Sequence, residues 1–205
     1  VWAAVGVGIF AIGGFERLEL MTYDWRTRAF PAEARQDIVV VAIDNPSLKA
    51  VATWPWPRAI YAELIDRLTQ AGARVIAFDV DFSTERTRQD DVQFARAVSR
   101  ADRVVLAAFH EHRALDGGAV VEYANLPYPD LRKAARAVGS INLSLDPDGA
   151  IRRAPIEAPI LGGGGWGFAL QTARLYLGAL DRPVHRSPDG TLEIGGHRAR
   201  LGTGG

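Results

Sequence analysis

The residues best placed to do chemistry stand at the ends of apolar runs. Asp44 closes the run 37–44 (DIVVVAID), Asp79 and Asp81 close 73–80 (ARVIAFDV), and His110 and His112 follow 103–109 (RVVLAAF). If each run is a strand of a parallel sheet, these groups converge beyond the carboxyl ends, where open α/β sheets bind ligands. Asp44 with Asp79 or Asp81 would then offer hard oxygen ligands to a divalent cation, or would bind a cationic or hydroxylated molecule. The same acids equally cap loops and helix starts. Trp54-Pro55-Trp56-Pro57-Arg58 leaves the first run toward the same place. Its two X-Pro steps force extended backbone, so the indoles and Arg58 either wall a pocket or clamp the loop to the domain. The ligand-binding candidates are therefore Asp44, Trp54, Trp56, Arg58, Asp79, Asp81 and His110.

One enzymatic reading competes. Phe78-Asp79-Val80-Asp81-Phe82-Ser83 has the Asp-x-Asp spacing of haloacid-dehalogenase-type phosphotransferases, in which the first Asp is the nucleophile and the second a general acid. That magnesium-dependent chemistry also needs a downstream lysine and a further acidic pair. The only lysines are Lys49 and Lys133, and Asp90-Asp91 follows closely in the same half. Other motifs are weaker. Gly162 to Gly165 lacks the Lys-Ser/Thr of a phosphate-cradling loop. His110-Glu111-His112 places two imidazoles on one strand face without an identifiable third ligand. Ser140 and Ser144 have no nucleophile-elbow context. Asp66-Arg67 and Arg152-Arg153 read as surface or structural pairs. No catalytic residue, metal or cofactor is assigned.

The elements that must position these groups follow from periodicity. Continuous rather than alternating apolarity in the three runs suggests strands buried on both faces, hence a parallel sheet. Pro57 opens a helix whose Ile60, Leu64 and Leu68 face the core and which Gly72 ends. Asp90-Asp91 starts another, with Val92, Ala95 and Val98 inward. A short helix runs from Tyr128 to Ala137. Runs 138–145 and 151–161, joined by Asp146-Pro147-Asp148-Gly149, predict a hairpin. An amphipathic helix covers 166–180, and Ser187-Pro188-Asp189-Gly190 turns between short strands. The expected fold is α/β: a doubly wound, mostly parallel sheet with an antiparallel C-terminal hairpin and helices on both faces, preceded by an N-terminal helix.

Composition narrows the function class. The chain has 205 residues, 24 basic and 24 acidic, so its net charge is zero and it lacks the basic footprint of a general nucleic-acid binder. It has no cysteine, which removes disulfides, zinc–cysteine and iron–sulfur sites and thiol nucleophiles. Residues 1–15 (VWAAVGVGIFAIGGF) carry no charge. At about 1.5 Å per residue they span about 22 Å, short of the ~30 Å hydrocarbon core. They read as the end of a transmembrane helix, with a buried core helix as the alternative. Residues 16–30 continue as a juxtamembrane helix in which Leu18, Met21 and Trp25 share one face. Residues 31–205 form one domain.

Taken in order, these segments resemble a known family. Tyr23-Asp24-Trp25-Arg26, Ile38–Asp44, Trp54–Arg58 with Tyr61, Ala71-Gly72-Ala73, Val75–Ser83 and Asp90-Asp91 with Phe94-Ala95 match in the first half. Gly139–Asp146, Asp148-Gly149 with Arg152-Arg153-Ala154-Pro155, Phe168-Ala169-Leu170 and Tyr176-Leu177-Gly178 follow. The series resembles the second type of CHASE domain, the extracellular sensory module associated with cyclases and histidine kinases. Gly162–Gly165 and the glycine-rich end after Leu201 depart from the family pattern. The resemblance implies a non-catalytic input domain on the periplasmic or extracellular side of a bacterial inner membrane. It also implies a homodimer with Leu18, Met21 and Trp25 in the dimer face, an unknown small ligand or signal, and a downstream cytoplasmic output domain in the same protein. That output would be a histidine kinase, nucleotide cyclase, diguanylate cyclase or Ser/Thr kinase. The rivals are the magnesium-dependent phosphohydrolase and a structural or dimerisation spacer without a ligand.

Overall fold

The computed structural model describes residues 14–31, 33, 36–115, 118–158, 160 and 164–202. The chain divides into two compact units, 1–47 and 48–205. In the first, helix α1 (Gly14–Ala29) presents Leu18, Met21 and Trp25 to solvent. The expected membrane segment lies outside the described residues apart from Gly14 and Phe15, which begin α1. A second helix, α2 (Asn45–Val51), starts beyond Asp44. The strand expected over 37–44 does not form. Ile38 to Val41 are exposed and take no ladder partner. A β-branched run states a demand for burial, and no neighbouring strand here meets it.

The second unit holds the sheet. Helix α3 (Arg58–Gln70) leads into β1 (Ile76–Phe78), α4 (Arg88–Ala101) and β2 (Val104–Ala114). Strand β3 (Val120–Asn125), α5 (Pro129–Ala134), β4 (Ala137–Ser140) and α6 (Phe168–Tyr176) follow. Strand β2 is central. It pairs in parallel with β1 (Ile76 opposite Val104) and with β4 (Val105 opposite Ala137), and its second half pairs antiparallel with β3. Val104–Ala108 are at most 5% exposed, as a continuous apolar run covered on both faces should be. Helix α4 packs against α3 and α5, and α6 lies on β4 and β2.

Local signals act as their chemistry requires. Gly72 ends α3 at φ +85°, and the Ala73 N–H donates to the Leu68 carbonyl, closing a Schellman motif. Thr87 caps α4, its hydroxyl oxygen accepting from the Asp90 N–H. The inward faces are rotated from expectation. Helix α3 buries Arg58, Tyr61, Ala62 and Ile65, leaving Ile60, Leu64 and Leu68 half-covered. Helix α4 buries Asp91, Phe94, Ala95, Ala97, Val98 and Ala101, with Val92 half-covered. Two buried charges, Arg58 and Asp91, set these faces, and an apolar pattern does not count charges.

The expected hairpin over 138–161 is also replaced. Its turn forms, with Gly149 N–H donating to the Asp146 carbonyl, but 141–145 and 151–155 are not strands. After Ser140 the backbone is claimed elsewhere: Ser140 N–H donates to Trp166 and Ile141 N–H to Ala108. The antiparallel arm of the sheet is β3 instead. A separate antiparallel sheet closes the unit, β5 (Val184–Arg186), β6 (Thr191–Ile194) and β7 (His197–Arg200). It rests on α6 through Leu170, Ala179, Leu192 and Ile194.

Gly139 is required by close approach. A Cβ there would lie 2.5 Å from Phe168 Cα and 2.8 Å from its nitrogen, where α6 begins against β4. Gly139→Ala is expected to cost about 1–3 kcal/mol in denaturant unfolding, because backbone must move to admit one methyl group. Wild-type stability of that variant would refute the packing.

Candidate functional site

The loop leaving β1 builds a tightly packed cluster around a buried charge. Tyr61, Phe78, Phe82 and Phe94 form a cluster with ring centroids 5.1–6.3 Å apart, edge-to-face except for the tilted Tyr61–Phe94 pair. Trp56 packs on Tyr61 at 6.0 Å, and the exposed Trp54 meets Trp56 edge-on at 6.2 Å. Into this apolar wall goes Arg58, only 4% exposed, with its guanidinium 4.8 Å from the Phe82 centroid and 5.6 Å from that of Tyr128. Its Nε faces Asp91 Oδ1 at 3.3 Å, and its Nη2 donates to the Thr84 carbonyl at 2.8 Å. The other carboxylate oxygen of Asp91 accepts from the Arg86 N–H at 2.7 Å. The Tyr128 hydroxyl donates to the Asp91 carbonyl. Burial, and then the nearby Asp91 charge, push the Tyr128 phenol well above its ordinary range.

Sequence reasoning leaves Trp56 and Arg58 two roles, walling a pocket or clamping the loop to the domain. The structure brings them together with Asp91 and Tyr128 inside the core. Asp91 and Tyr128 were missed as partners because they lie 33 and 70 residues from Arg58, beyond any local pattern. Asp79 and Asp81 follow β1 and are exposed, with Asp81 accepting from the Ser83 N–H at 2.8 Å. Asp44 belongs to the first unit. Its carboxylate accepts from the Ser47 N–H at 2.9 Å and from the Ser47 hydroxyl, contacts that hold its pKa below the ordinary value. His110 lies within β2 rather than past its end. Asn142 bridges its backbone from both sides, accepting from the N–H and donating to the carbonyl. Glu122 Oε1 stands 2.9 Å from Nδ1 outside hydrogen-bond alignment, and Nε2 has no hydrogen-bond partner among the described residues. Glu122 sits directly opposite His112 in the β2–β3 register. Among the described residues no three His, Asp or Glu side chains gather closely enough to hold a metal ion.

A family model for the CHASE2 domain matches residues 1–203. The chain belongs to the CHASE2 family. No curated protein and no solved structure matches it. CHASE2 domains are extracellular sensory domains of signalling receptors, generally without catalysis of their own. Among the described residues no helix is long and apolar enough to cross a membrane. The motif residues of this CHASE2 chain serve largely as fold determinants: Trp56, Arg58, Asp91 and Phe94 meet in the Arg58 knot, and Asp90 pairs with the Thr87 cap.

A second clamp involves Arg152, whose side chain is 8% exposed. It donates to Asp146 at 2.9 Å and to both carboxylate oxygens of Asp148 at 2.8 and 2.7 Å. The Arg152 hydrogen bonds hold the Asp148 carboxyl down at about 2.

Two measurements test these assignments. Removing one partner of the buried pair, by Arg58→Met or Asp91→Asn, should cost roughly 3–5 kcal/mol of unfolding free energy. The double variant Arg58→Met/Asp91→Asn should cost less than the two single losses added; strict additivity would show that the groups do not interact. For the clamp, a depressed carboxyl pKa gives stability present above its ordinary value of 3.8 and lost as pH falls toward about 2. Arg152→Gln should return Asp148 to the ordinary range in a carboxyl-resolved NMR titration. An unchanged midpoint would remove Arg152 as the cause.

Proposed function

We propose that this CHASE2 chain is the stimulus-sensing input domain of a bacterial transmembrane receptor. It is held at the outer face of the inner membrane by its apolar lead and works as a homodimer. A kinase or cyclase output domain lies on the cytoplasmic side of the same protein. The observation that carries the reading is the family match over residues 1–203. Helix α1 supports it, because Leu18, Met21 and Trp25 are 55–68% exposed along one face. An apolar stripe at spacings of three and four, left uncovered, suits a second copy of the same helix. A stimulus then shifts the population of two helix-pair arrangements by its differential affinity for them.

The phosphohydrolase alternative loses support at Asp90-Asp91. Both oxygens of Asp91 are engaged by Arg58 and Arg86, and Asp90 accepts from the Thr87 hydroxyl at 2.6 Å. That pair is committed to the fold rather than to a magnesium ion.

Because the chain has no cysteine, one introduced thiol is unique within it. Leu18→Cys, Met21→Cys and Trp25→Cys should each form disulfide dimers under mild oxidation in membranes. Thr27→Cys, on the far side of α1, should stay monomeric. Cross-linking equal at all four positions, or at none, would sink the dimer face.

A further inference from the structure

A cavity lies away from the Arg58 knot, between the 144–157 segment and the C-terminal sheet. Its volume is about 270 Å³, at the small end for ligand pockets and matched to a molecule of amino-acid size. Ile156, Leu192 and Leu201 give it an apolar floor, and Arg153, Arg186 and Glu157 bring charge to its wall. The charges are unequally committed. Asp146, also on the wall, is held by Arg152 at 2.9 Å, and Arg153 reaches its other oxygen only at 3.9 Å. Arg153 remains 58% exposed and makes no hydrogen bond through its guanidinium among the described residues. The Glu157 carboxylate likewise has no ion-pair or hydrogen-bond partner among the described residues. An under-used cation and an under-used anion therefore border one small apolar-floored space.

Resting on the sensory reading above, we propose that this cavity binds a small zwitterion with a short apolar tail, the chemistry of a free apolar amino acid. The carboxylate goes to Arg153, with its fork of donors. The ammonium goes to Glu157, and the tail covers Leu192 and Ile156. A simple anion fits less well, because it carries no positive group of its own to meet Glu157. A simple amine would meet two guanidiniums. The wall itself is prepared: Arg152 pins the Asp146–Gly149 turn, and the Leu201 N–H donates to the Gly190 carbonyl at 2.8 Å.

The test is titration calorimetry on the detergent-solubilised 205-residue chain, with L-leucine as probe. Isoamylamine, which lacks the carboxylate, and 4-methylpentanoate, which lacks the ammonium, are the comparators. Leucine should bind, each comparator at least tenfold more weakly. Arg153→Gln and Glu157→Gln should each weaken leucine at least tenfold without moving the ligand-free thermal midpoint, since both side chains are exposed. Either comparator binding as tightly as leucine overturns the zwitterion assignment. So does the absence of heat from leucine, valine or methionine up to about 10 mM, a ceiling equivalent to roughly 3 kcal/mol of binding. Leucine binding that ignores both substitutions overturns the cavity. The sensory reading fails separately: leucine that binds by these rules yet leaves the output of the intact receptor unchanged removes the signalling role and keeps the site.

Discussion

The fold of the second unit turns on one buried ion pair. Arg58 begins α3 and Asp91 lies in the first turn of α4, and around them the chain must bring the 82–87 loop and the approach to α5 into contact. Thr84 gives its carbonyl, Arg86 its N–H, and Tyr128 its hydroxyl and ring. A buried pair adds little net stability over a well-packed apolar substitute, because desolvation of both ions opposes their attraction. What it imposes is geometry: the two helices meet where a guanidinium and a carboxylate are satisfied at once inside a wall of Phe82, Phe94 and Tyr128. The rotated inward faces of α3 and α4 follow from that requirement.

The knot also decides what the end of β1 can do. In an open parallel sheet the carboxyl ends are the ordinary place for a ligand. Here the space beside β1 is filled by Phe82, Arg58 and Tyr128, and the Tyr128 N–H donates to the Phe82 carbonyl. Asp79 and Asp81 are left facing outward. Space for a small molecule opens instead where the turn at 146–149 approaches β5 and β6.

The parts legible in the sequence are those whose cause is local. Gly72 after an amphipathic helix, the continuous run 104–108, and the Asp-Pro-Asp-Gly and Ser-Pro-Asp-Gly turns each act within a few residues of themselves. The family resemblance was legible for the same reason, as an ordered series of such determinants. What was not legible depends on distant partners. Arg58 looks the same whether it lines a pocket or meets an aspartate 33 residues away. Ile38–Val41 has the composition of a buried strand, and composition cannot supply the neighbour it would pair with. The 151–161 run is apolar enough for a strand, yet the hydrogen bonds of Ser140 and Ile141 go to Trp166 and Ala108.

Arginine does throughout this chain what other extracytoplasmic domains delegate to disulfides. The chain has no cysteine, and only two of its 24 basic residues are lysine. Arg58 holds the Thr84 carbonyl, Arg74 that of Tyr176, Arg103 those of Ala73 and Ala101, and Arg174 those of Leu180 and Arg182. A planar guanidinium with five donors can satisfy several loop carbonyls at once, which an ammonium on a flexible stem does poorly. Arg74 and Arg174 also lie over the rings of Tyr176 and Trp166. Against that pattern, adjacent arginines at 152 and 153 part company. Arg152 turns into Asp146 and Asp148, while Arg153 lines the cavity and, among the described residues, has one ion-pair contact, to Asp146 at 3.9 Å. Among the described residues Arg153 is thus nearly idle beside a glutamate, Glu157, that has no ion-pair partner there, and this is the pairing the proposed zwitterion would use.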